Sequence, residues 1–203
     1  MDKYITQIKK CFDSISGIDF PVDEIKKAMS DCVVIHYSPD DYFLRMGEIS
    51  GKIGFITEGL FRIFHADTKG NEYTKNFKSS GQFVSSLAAL LLACPSNLNI
   101  QALEHSEVIC IHYDNILRLA DKSLQWQQLL RKNIEADYLE KEKRESDLLY
   151  YDAKDRYLHF TEEHPDWEQR IQQRFIASYL GMKAETLSRI RSKPVTRQKK
   201  HQN

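Results

Sequence analysis

Three glycines stand at a constant interval of 11 residues, at Gly59, Gly70 and Gly81, inside a segment of short β-rich runs. The runs are rich in β-branched and aromatic residues and cover positions 33–37, 52–56, 60–64 and 108–111. Residues 67–71, Asp-Thr-Lys-Gly-Asn, have the composition of a hairpin turn. Strands of about six to eight residues joined by glycine turns are typical of an antiparallel barrel or jelly roll.

Helical patterns interrupt and flank this segment. Residues 87–93 are rich in leucine and alanine and predict a short helix. Before the β-rich runs, apolar residues at spacings of three and four, interrupted by Pro21, predict two helices within about the first 30 residues. After the runs, Asp114 is expected to cap another short helix.

A longer helix is predicted from about residue 123 to residue 150. An apolar stripe recurs along it at intervals of four residues, at Trp126, Leu130, Ile134 and Tyr138. A helix of this length spans about 40 Å, which is long for a small fold. The stripe therefore predicts a dimer interface with the same helix of a second chain. The alternative is that the stripe packs against the chain's own barrel. Both explanations can be true, each for different turns of the same helix.

Residues 174–191 have the pattern of a helix-turn-helix. The first helix has an apolar face formed by Phe175, Ile176 and Leu180, with Ala177 as the small residue at the helix crossing. Gly181 tolerates the positive φ that the turn requires. Met182 is expected to fill the space between the helices, and Leu187 and Ile190 form the inward stripe of the second helix.

The outer face of the second helix carries polar and charged residues, which are the types that read bases or hold phosphates. The predicted DNA-binding residues are Glu185, Thr186, Ser188, Arg189, Arg191 and Lys193. No acidic residue follows Glu185 in the sequence. Phosphate contacts are therefore assigned to Arg191 and Lys193 and to the tail residues Arg197, Lys199 and Lys200. A helical hairpin that only packs, followed by a solvated tail, is the alternative.

Other classes of protein lack support in the sequence. No run of about 18 apolar residues predicts a membrane span, and the first residues lack the apolar core of a signal peptide, so we expect a cytoplasmic protein. The four cysteines lack metal-clip spacing, the histidines of the β-rich segment are scattered, and no P-loop, dinucleotide fingerprint or nucleophile elbow occurs. We therefore predict no catalytic residue, no metal site, no cofactor and no enzymatic activity.

The order of barrel, long helix and helix-turn-helix resembles the Crp/Fnr superfamily of bacterial transcription regulators. The specific matches are Glu-Thr-Leu-Ser-Arg-Ile at 185–190 and Phe-Ile-Ala-Ser-Tyr-Leu-Gly at 175–181, and residues 59–63 with 70–72 are similar to central strands of that family's cyclic-nucleotide-binding barrel. The compact C-terminal module is similar to that of Crp-like regulators of Bacteroidetes.

The resemblance implies an α+β chain in three parts. Residues 1–122 form a cyclic-nucleotide-binding-like sensor barrel with N-terminal helices, residues 123–150 a dimerisation helix, and residues 151–203 an all-α DNA-binding domain. Only ten residues follow position 193, so the β-hairpin wing usual in the family is expected to be truncated and replaced by the basic tail.

The expected effector pocket departs from the family pattern. Members that bind cyclic AMP have Gly-Glu after an aromatic–aliphatic pair, followed by an arginine that neutralises the phosphate. Here Phe83 and Val84 are followed by Ser85 and Ser86, the arginine position falls near Ser96, beside Asn97, and residues 81–111 contain no arginine. A phosphate buried without a cation is strongly disfavoured. We therefore predict that cyclic AMP binding is weak or absent, and that the pocket binds an unknown small-molecule effector or none.

Two functions are compatible with these patterns. The first is a homodimeric regulator that reads a palindromic site in double-stranded DNA, with RNA polymerase as a candidate partner and no membrane association. The second is a small-molecule-binding or protein-interaction module that does not bind DNA. Recovery of a palindromic motif from random DNA would discriminate between them.

Overall fold

The computed structural model describes residues 2–192 of the chain. The strands are β1 (Val33–Tyr37), β2 (Tyr42–Leu44), β3 (Lys52–Glu58), β4 (Leu60–Ala66), β5 (Glu72–Ser79), β6 (Phe83–Val84), β7 (Asn99–Ala102) and β8 (Ser106–His112). Within the described residues they form two antiparallel sheets in the orders β1-β8-β3-β6 and β2-β7-β4-β5. The prediction of an antiparallel, jelly-roll-like barrel is confirmed.

The predicted glycine turns are also present. Gly59, Gly70 and Gly81 all have positive φ, and the hairpin turn at residues 67–71 joins β4 to β5. Gly59, with φ of +108°, has a second constraint: a Cβ there would lie 2.0 Å from Ser106 Oγ. Only glycine combines this φ with so close an approach, so Gly59 sets how tightly β3 turns into β4.

The strands β3 and β8 are apolar without alternation because helices cover the outer face of their sheet. Ile56, Val108 and Cys110 belong to the barrel core, the apolar cluster between the two sheets. Phe55 and Ile109 belong to the helix-side core, the cluster between the first sheet and the helices packed on it. A strand buried on both faces is expected to lack a polar face.

The helices that cover this sheet come from both ends of the barrel segment. They are α1 (Asp2–Ser16), α2 (Val22–Met29), α4 (Tyr113–Lys122) and the beginning of α5 (Leu124–Tyr150). The short helix α3 (Leu87–Leu92) lies between β6 and β7, as predicted. The assignment of Asp114 as a helix cap is wrong, because His112 is the N-cap of α4 and its Nδ1 accepts from the Asp114 amide.

The remaining helices are α6 (Ala153–Glu163), α7 (Trp167–Arg170), α8 (Gln173–Tyr179) and α9 (Ala184–Arg191). Pro165 lies between α6 and α7, where a proline disfavours continuation of the preceding helix. The chain divides into two compact units, Met1–Lys143 and Arg144–Asn203, and this division falls within α5. No helix among residues 2–192 is both long enough and apolar enough to span a membrane.

Candidate functional site

The last two helices, α8 and α9, form a helical pair joined by a tight turn. Phe175, Ile176, Ala177 and Leu180 are all buried, which confirms the predicted inner face of α8. Gly181 has φ of +64°, and in the turn the Met182 amide donates to the Ala177 carbonyl at 3.0 Å. The sequence prediction for the turn is therefore correct in its local geometry.

The face of α9 opposite to its buried residue is polar and exposed. Leu187 is fully buried and Ile190 is half-buried, which agrees with their prediction as the inward stripe. Glu185, Ser188 and Arg189 are exposed, and their spacing of three and four residues puts them on one side of the helix. The α9 face, as we call these three residues, presents a carboxylate, a hydroxyl and a guanidinium together.

The other predicted DNA-binding residues occupy different positions. Thr186 is half-buried, beside the α9 face rather than at its centre. Arg191 Nε lies 3.3 Å from a carboxylate oxygen of Glu168, which also accepts a hydrogen bond from the Tyr157 hydroxyl. Burial and this hydrogen bond raise the pKa of Tyr157 to about 12. Lys193 and the tail residues Arg197, Lys199 and Lys200 lie outside the described residues.

Two arginines that sequence reasoning missed hold the C-terminal end of α8. Arg144 Nη2 and Nε donate to the Tyr179 carbonyl at 2.8 and 3.2 Å, and Arg156 Nε donates to the Leu180 carbonyl at 2.9 Å. The last carbonyls of a helix have no partner within it, so these bonds stabilise the point at which α8 enters the turn. Arg144 lies in an almost wholly charged stretch, residues 140–147, whose pattern does not show which charges bind a backbone carbonyl.

The predicted effector pocket is only partly brought together. Val84, Ser86 and Ser96 are buried, and Ser96 Oγ lies 3.1 Å from Ser86 Oγ and 3.0 Å from the Leu98 carbonyl. These two hydroxyls therefore satisfy each other and the backbone in the region where the family's Gly-Glu and arginine are expected.

The other three predicted pocket residues are not fully buried with this group. Phe83 packs on the helix-side core, with its ring 5.7 Å from that of Phe12, which corrects its assignment to the pocket. Ser85 is half-buried. Asn97 is exposed, and its backbone carbonyl contacts His65 Nδ1 at 2.9 Å.

Aromatic rings occupy the barrel core. The ring of Tyr37 lies 5.5 Å from that of Phe61 and 6.2 Å from that of Phe43. Burial raises the pKa of the Tyr37 hydroxyl, so this group stays neutral. Arg62 alternates with Phe61 and Ile63 along β4 and therefore lies on the other face of its sheet, where it binds Glu72 and Thr74. The guanidinium of Arg62 therefore does not lie in the barrel core.

The apolar stripe of α5 divides into two parts. Trp126 is only 2% exposed and packs between Phe12 and Phe20, so it has almost no surface left for a second chain. This corrects its assignment to the dimer interface. Ile134 and Tyr138 are 48% and 60% exposed, and with half-buried Leu130 they line an apolar groove of about 560 Å³.

A buried lysine connects the barrel to α5 through two partly exposed carboxylates. Lys78 Nζ of β5 lies 2.8 Å from an Asp137 carboxylate oxygen and 2.9 Å from one of Glu140. Burial alone would lower the pKa of Lys78, but the two carboxylates outweigh it and raise the pKa above its usual value. Within residues 2–192, no group of three or more His, Cys, Asp and Glu side chains could hold a metal ion.

Comparison with known proteins identifies the barrel segment. Residues 34–123 match the cyclic nucleotide-binding domain family. No curated protein matches the sequence of the chain.

Three solved structures resemble the fold. FixK2 from Bradyrhizobium japonicum is 18% identical, with a TM-score of 0.68 over 79% of this chain and 83% of its own. The c-di-GMP-responsive global regulator CLP of Xanthomonas campestris is 18% identical, with a TM-score of 0.69 over 85% and 90%. The Thermus thermophilus catabolite activator protein is 19% identical, with a TM-score of 0.55 over 88% and 85%. At these identities the likeness establishes a common fold.

Proposed function

We propose that the chain is a homodimeric, sequence-specific DNA-binding transcription regulator of the cytoplasm. The proposal is supported by the match of residues 34–123 to the cyclic nucleotide-binding domain family and by the fold shared with FixK2 and CLP. The observation that carries the proposal is the α9 face. Glu185, Ser188 and Arg189 are exposed together on a helix whose opposite side is anchored by fully buried Leu187. A helix presented in this way has the form of a recognition helix in a helix-turn-helix.

The chemistry of the α9 face suits the edges of base pairs in the major groove. The Arg189 guanidinium can donate two hydrogen bonds to guanine, and the Glu185 carboxylate can accept from the amino group of cytosine. Ser188 can bond to several bases. Arg191 and Lys193 are assigned to phosphates, with Thr186 serving either role. Arg191 would then exchange its ion pair with Glu168 for a phosphate.

The apolar groove of α5 supports the dimer. Ile134 and Tyr138 expose large apolar surfaces next to Leu130, and an identical helix related by a two-fold axis would cover them. Two recognition helices related by the same axis would read half-sites about one helical turn apart. The site would therefore be palindromic.

The barrel is proposed to have lost cyclic AMP as its effector. The Ser86–Ser96 pair offers hydroxyls in place of a cation, and aromatic rings occupy the space between the sheets. Burying a cyclic phosphate there would leave its charge uncompensated. Calorimetric titration should detect no binding at micromolar cyclic AMP, and a micromolar or tighter dissociation constant would contradict this part of the proposal. Another small-molecule effector, and contact with RNA polymerase, are compatible with it.

Selection from random double-stranded DNA tests the central claim. We expect enrichment of an inverted repeat by the intact chain, and loss of that enrichment when Arg189 is replaced by alanine. Lys154→Ala removes an exposed cation of α6 that is not among the predicted DNA-binding residues, so it serves as the matched control and should retain the motif. If the intact chain enriches no motif, the alternative of a ligand-binding or protein-interaction module is supported instead.

Truncation tests the basic tail separately. A chain ending at residue 193 should bind all DNA sequences more weakly and with a flatter salt dependence, because fewer counterions are released. Unchanged affinity and salt dependence would contradict a phosphate-binding role for Arg197, Lys199 and Lys200.

A further inference from the structure

An acidic residue lies against one of the cations that are assigned to phosphate. Arg191 Nε is 3.3 Å from Glu168 Oε1, and the side chains of Arg191 and Glu168 are 40% and 26% exposed. Arg191 is the last residue of α9, whereas Glu168 belongs to the short helix α7 of the same unit. A cation that is proposed to meet DNA is therefore already paired with a carboxylate of its own chain.

Arg191 lies at the edge of the α9 face. It follows Ser188 of that face by three residues and the fully buried Leu187 by four, so its side chain leaves the helix between the exposed side and the packed side. From this position the flexible side chain can turn either to the surface on which DNA would lie or to α7. In the free chain it turns to Glu168 of α7.

The Glu168 carboxylate is held in place by its surroundings. The Tyr157 hydroxyl of α6 donates to Glu168 Oε1, the same oxygen that meets Arg191. Because the pKa of Tyr157 is raised to about 12, this hydroxyl remains a donor at neutral pH. Trp167, next to Glu168 in the chain, is buried and anchors α7. Glu168 is therefore a positioned partner for Arg191 rather than a freely moving surface acid.

The charge of this pair affects how strongly Arg191 attracts phosphate. Each net cation that neutralises a phosphate releases counterions, and this release favours binding. A guanidinium that stays paired with a carboxylate contributes no net charge, and an exchange of partners would leave the carboxylate unpaired beside DNA. In both cases Glu168 opposes binding by about the strength of one surface ion pair.

We propose that Glu168 is a built-in competitor of DNA for Arg191, and that it lowers the affinity of the chain for double-stranded DNA of every sequence. This inference rests on the proposed DNA-binding function. Phosphates carry no sequence information directly, so the competitor weakens specific and non-specific binding by the same factor and leaves their ratio unchanged. The carboxylate adjusts the affinity, while the α9 face selects the sequence.

Glu168→Gln tests the competitor, because glutamine keeps an oxygen that accepts from the Tyr157 hydroxyl and removes the charge. Binding is measured by fluorescence anisotropy on the selected inverted repeat and on a scrambled duplex, over a series of salt concentrations. For each bound subunit we expect about fivefold tighter binding to both duplexes, the equivalent of one surface ion pair. The slope of log affinity against log salt should become steeper by about 0.9 per subunit. The ratio of the two affinities should stay the same.

Two further variants separate the ion pair from general effects of charge. Asp166→Asn removes a charge of the same sign from an exposed residue two positions before Glu168, and should change the affinity less than about twofold per subunit, because exposed charges are screened by salt. In an Arg191→Ala background, Glu168→Gln should have no larger effect than Asp166→Asn. The residue through which Glu168 acts is then absent, so the coupling between the two positions is lost.

The outcomes distinguish this inference from the proposed function. If the unaltered chain binds neither duplex, the proposed function is wrong and the inference is wrong with it. If the unaltered chain binds, the inference alone is overturned by an unchanged affinity of Glu168→Gln or by a gain that persists in the Arg191→Ala background. A weaker affinity of Glu168→Gln would also overturn it, since Glu168 would then orient Arg191 towards phosphate.

Discussion

Replacement of Gly181 by alanine tests the geometry of the turn between α8 and α9. Gly181 has φ of +64°, a conformation that costs an L-residue about 1–2 kcal/mol. The new Cβ would also lie 2.8 Å from Leu148 Cδ2, the end of a flexible side chain. Moving that side chain off its preferred rotamer costs about 0.5–1.5 kcal/mol. Alanine recovers about 0.4–1 kcal/mol by restricting the unfolded chain, so we expect a net destabilisation of about 2 kcal/mol.

Gly70→Ala is the matched control for the backbone contribution. Gly70 also has positive φ, at +83°, but a Cβ there meets nothing within 4 Å. Its replacement should cost only the conformational part, about 1 kcal/mol. The difference between the two variants, about 1 kcal/mol, then measures the contact with Leu148. Combining Gly181→Ala with Leu148→Ala in a double-mutant cycle should recover that difference as a coupling energy.

Urea unfolding followed on the two indole resonances gives the free energy for each unit. Trp167 reports the unit that contains Gly181, and Trp126 reports the unit that contains Gly70. Gly181→Ala should lower the urea midpoint at Trp167 and leave the midpoint at Trp126 unchanged. A neutral or stabilising Gly181→Ala would refute the assignment of a required positive φ, and a coupling energy near zero would refute the close contact with Leu148.

Four further outcomes follow from named contacts. Arg189→Ala should weaken binding by about 1–3 kcal/mol and relax specificity at one base per half-site; equal loss on all sequences in a binding titration would rule out base reading. Ile134→Asp should dissociate the dimer in sedimentation experiments. Leu92→Asp places the same charge on another exposed leucine, in α3, and should leave the dimer intact. A dimer that survives Ile134→Asp uses another surface. Arg144→Ala should destabilise the C-terminal unit by about 2 kcal/mol through loss of charged hydrogen bonds to α8. Arg144→Lys should recover only part of that stability, because the single lysine nitrogen cannot replace the two guanidinium nitrogens that donate to the Tyr179 carbonyl. Full stability of the alanine variant in urea would exclude this role. Burial alone would raise the pKa of Glu107, but hydrogen bonds from a threonine and a tyrosine outweigh burial and hold the pKa below its usual value. The stabilisation that ionised Glu107 provides is therefore complete above about pH 4.3 and is lost as the pH falls through the folded-state pKa. Glu107→Gln should flatten the acid side of the stability–pH curve, and an unchanged curve would contradict the assignment.

The barrel could be predicted from sequence because its signals are local. A positive φ at Gly59, Gly70 and Gly81 is a property of single residues, and the β-rich runs between them have strand composition. The inner face of α8 and Leu187 of α9 were likewise correct, because a period of 3.6 residues fixes which side chains share a side of a helix. The absence of arginine from residues 81–111 is also a fact of sequence alone.

The candidate site was less predictable wherever it depends on which surface covers a residue. Trp126 and Tyr138 belong to one stripe of α5, with the same spacing and the same apolar character. The first is buried against Phe12 and Phe20, more than 100 residues earlier in the chain, and the second is exposed. The spacing of the stripe indicates that its residues lie on one side of the helix. It contains no information about which other part of the protein covers each of them.

The strands, the helices and the polar face of α9 can be derived from sequence, because each follows from local backbone preference and from side-chain spacing. Only the packed structure shows that Arg144 and Arg156 hold the end of α8, that Ser86 and Ser96 satisfy each other, and that the indole N–H of Trp126 is buried without an acceptor among the described residues. Those contacts join residues far apart in the chain. Their existence depends on how packed elements meet, and no local pattern in the sequence records that.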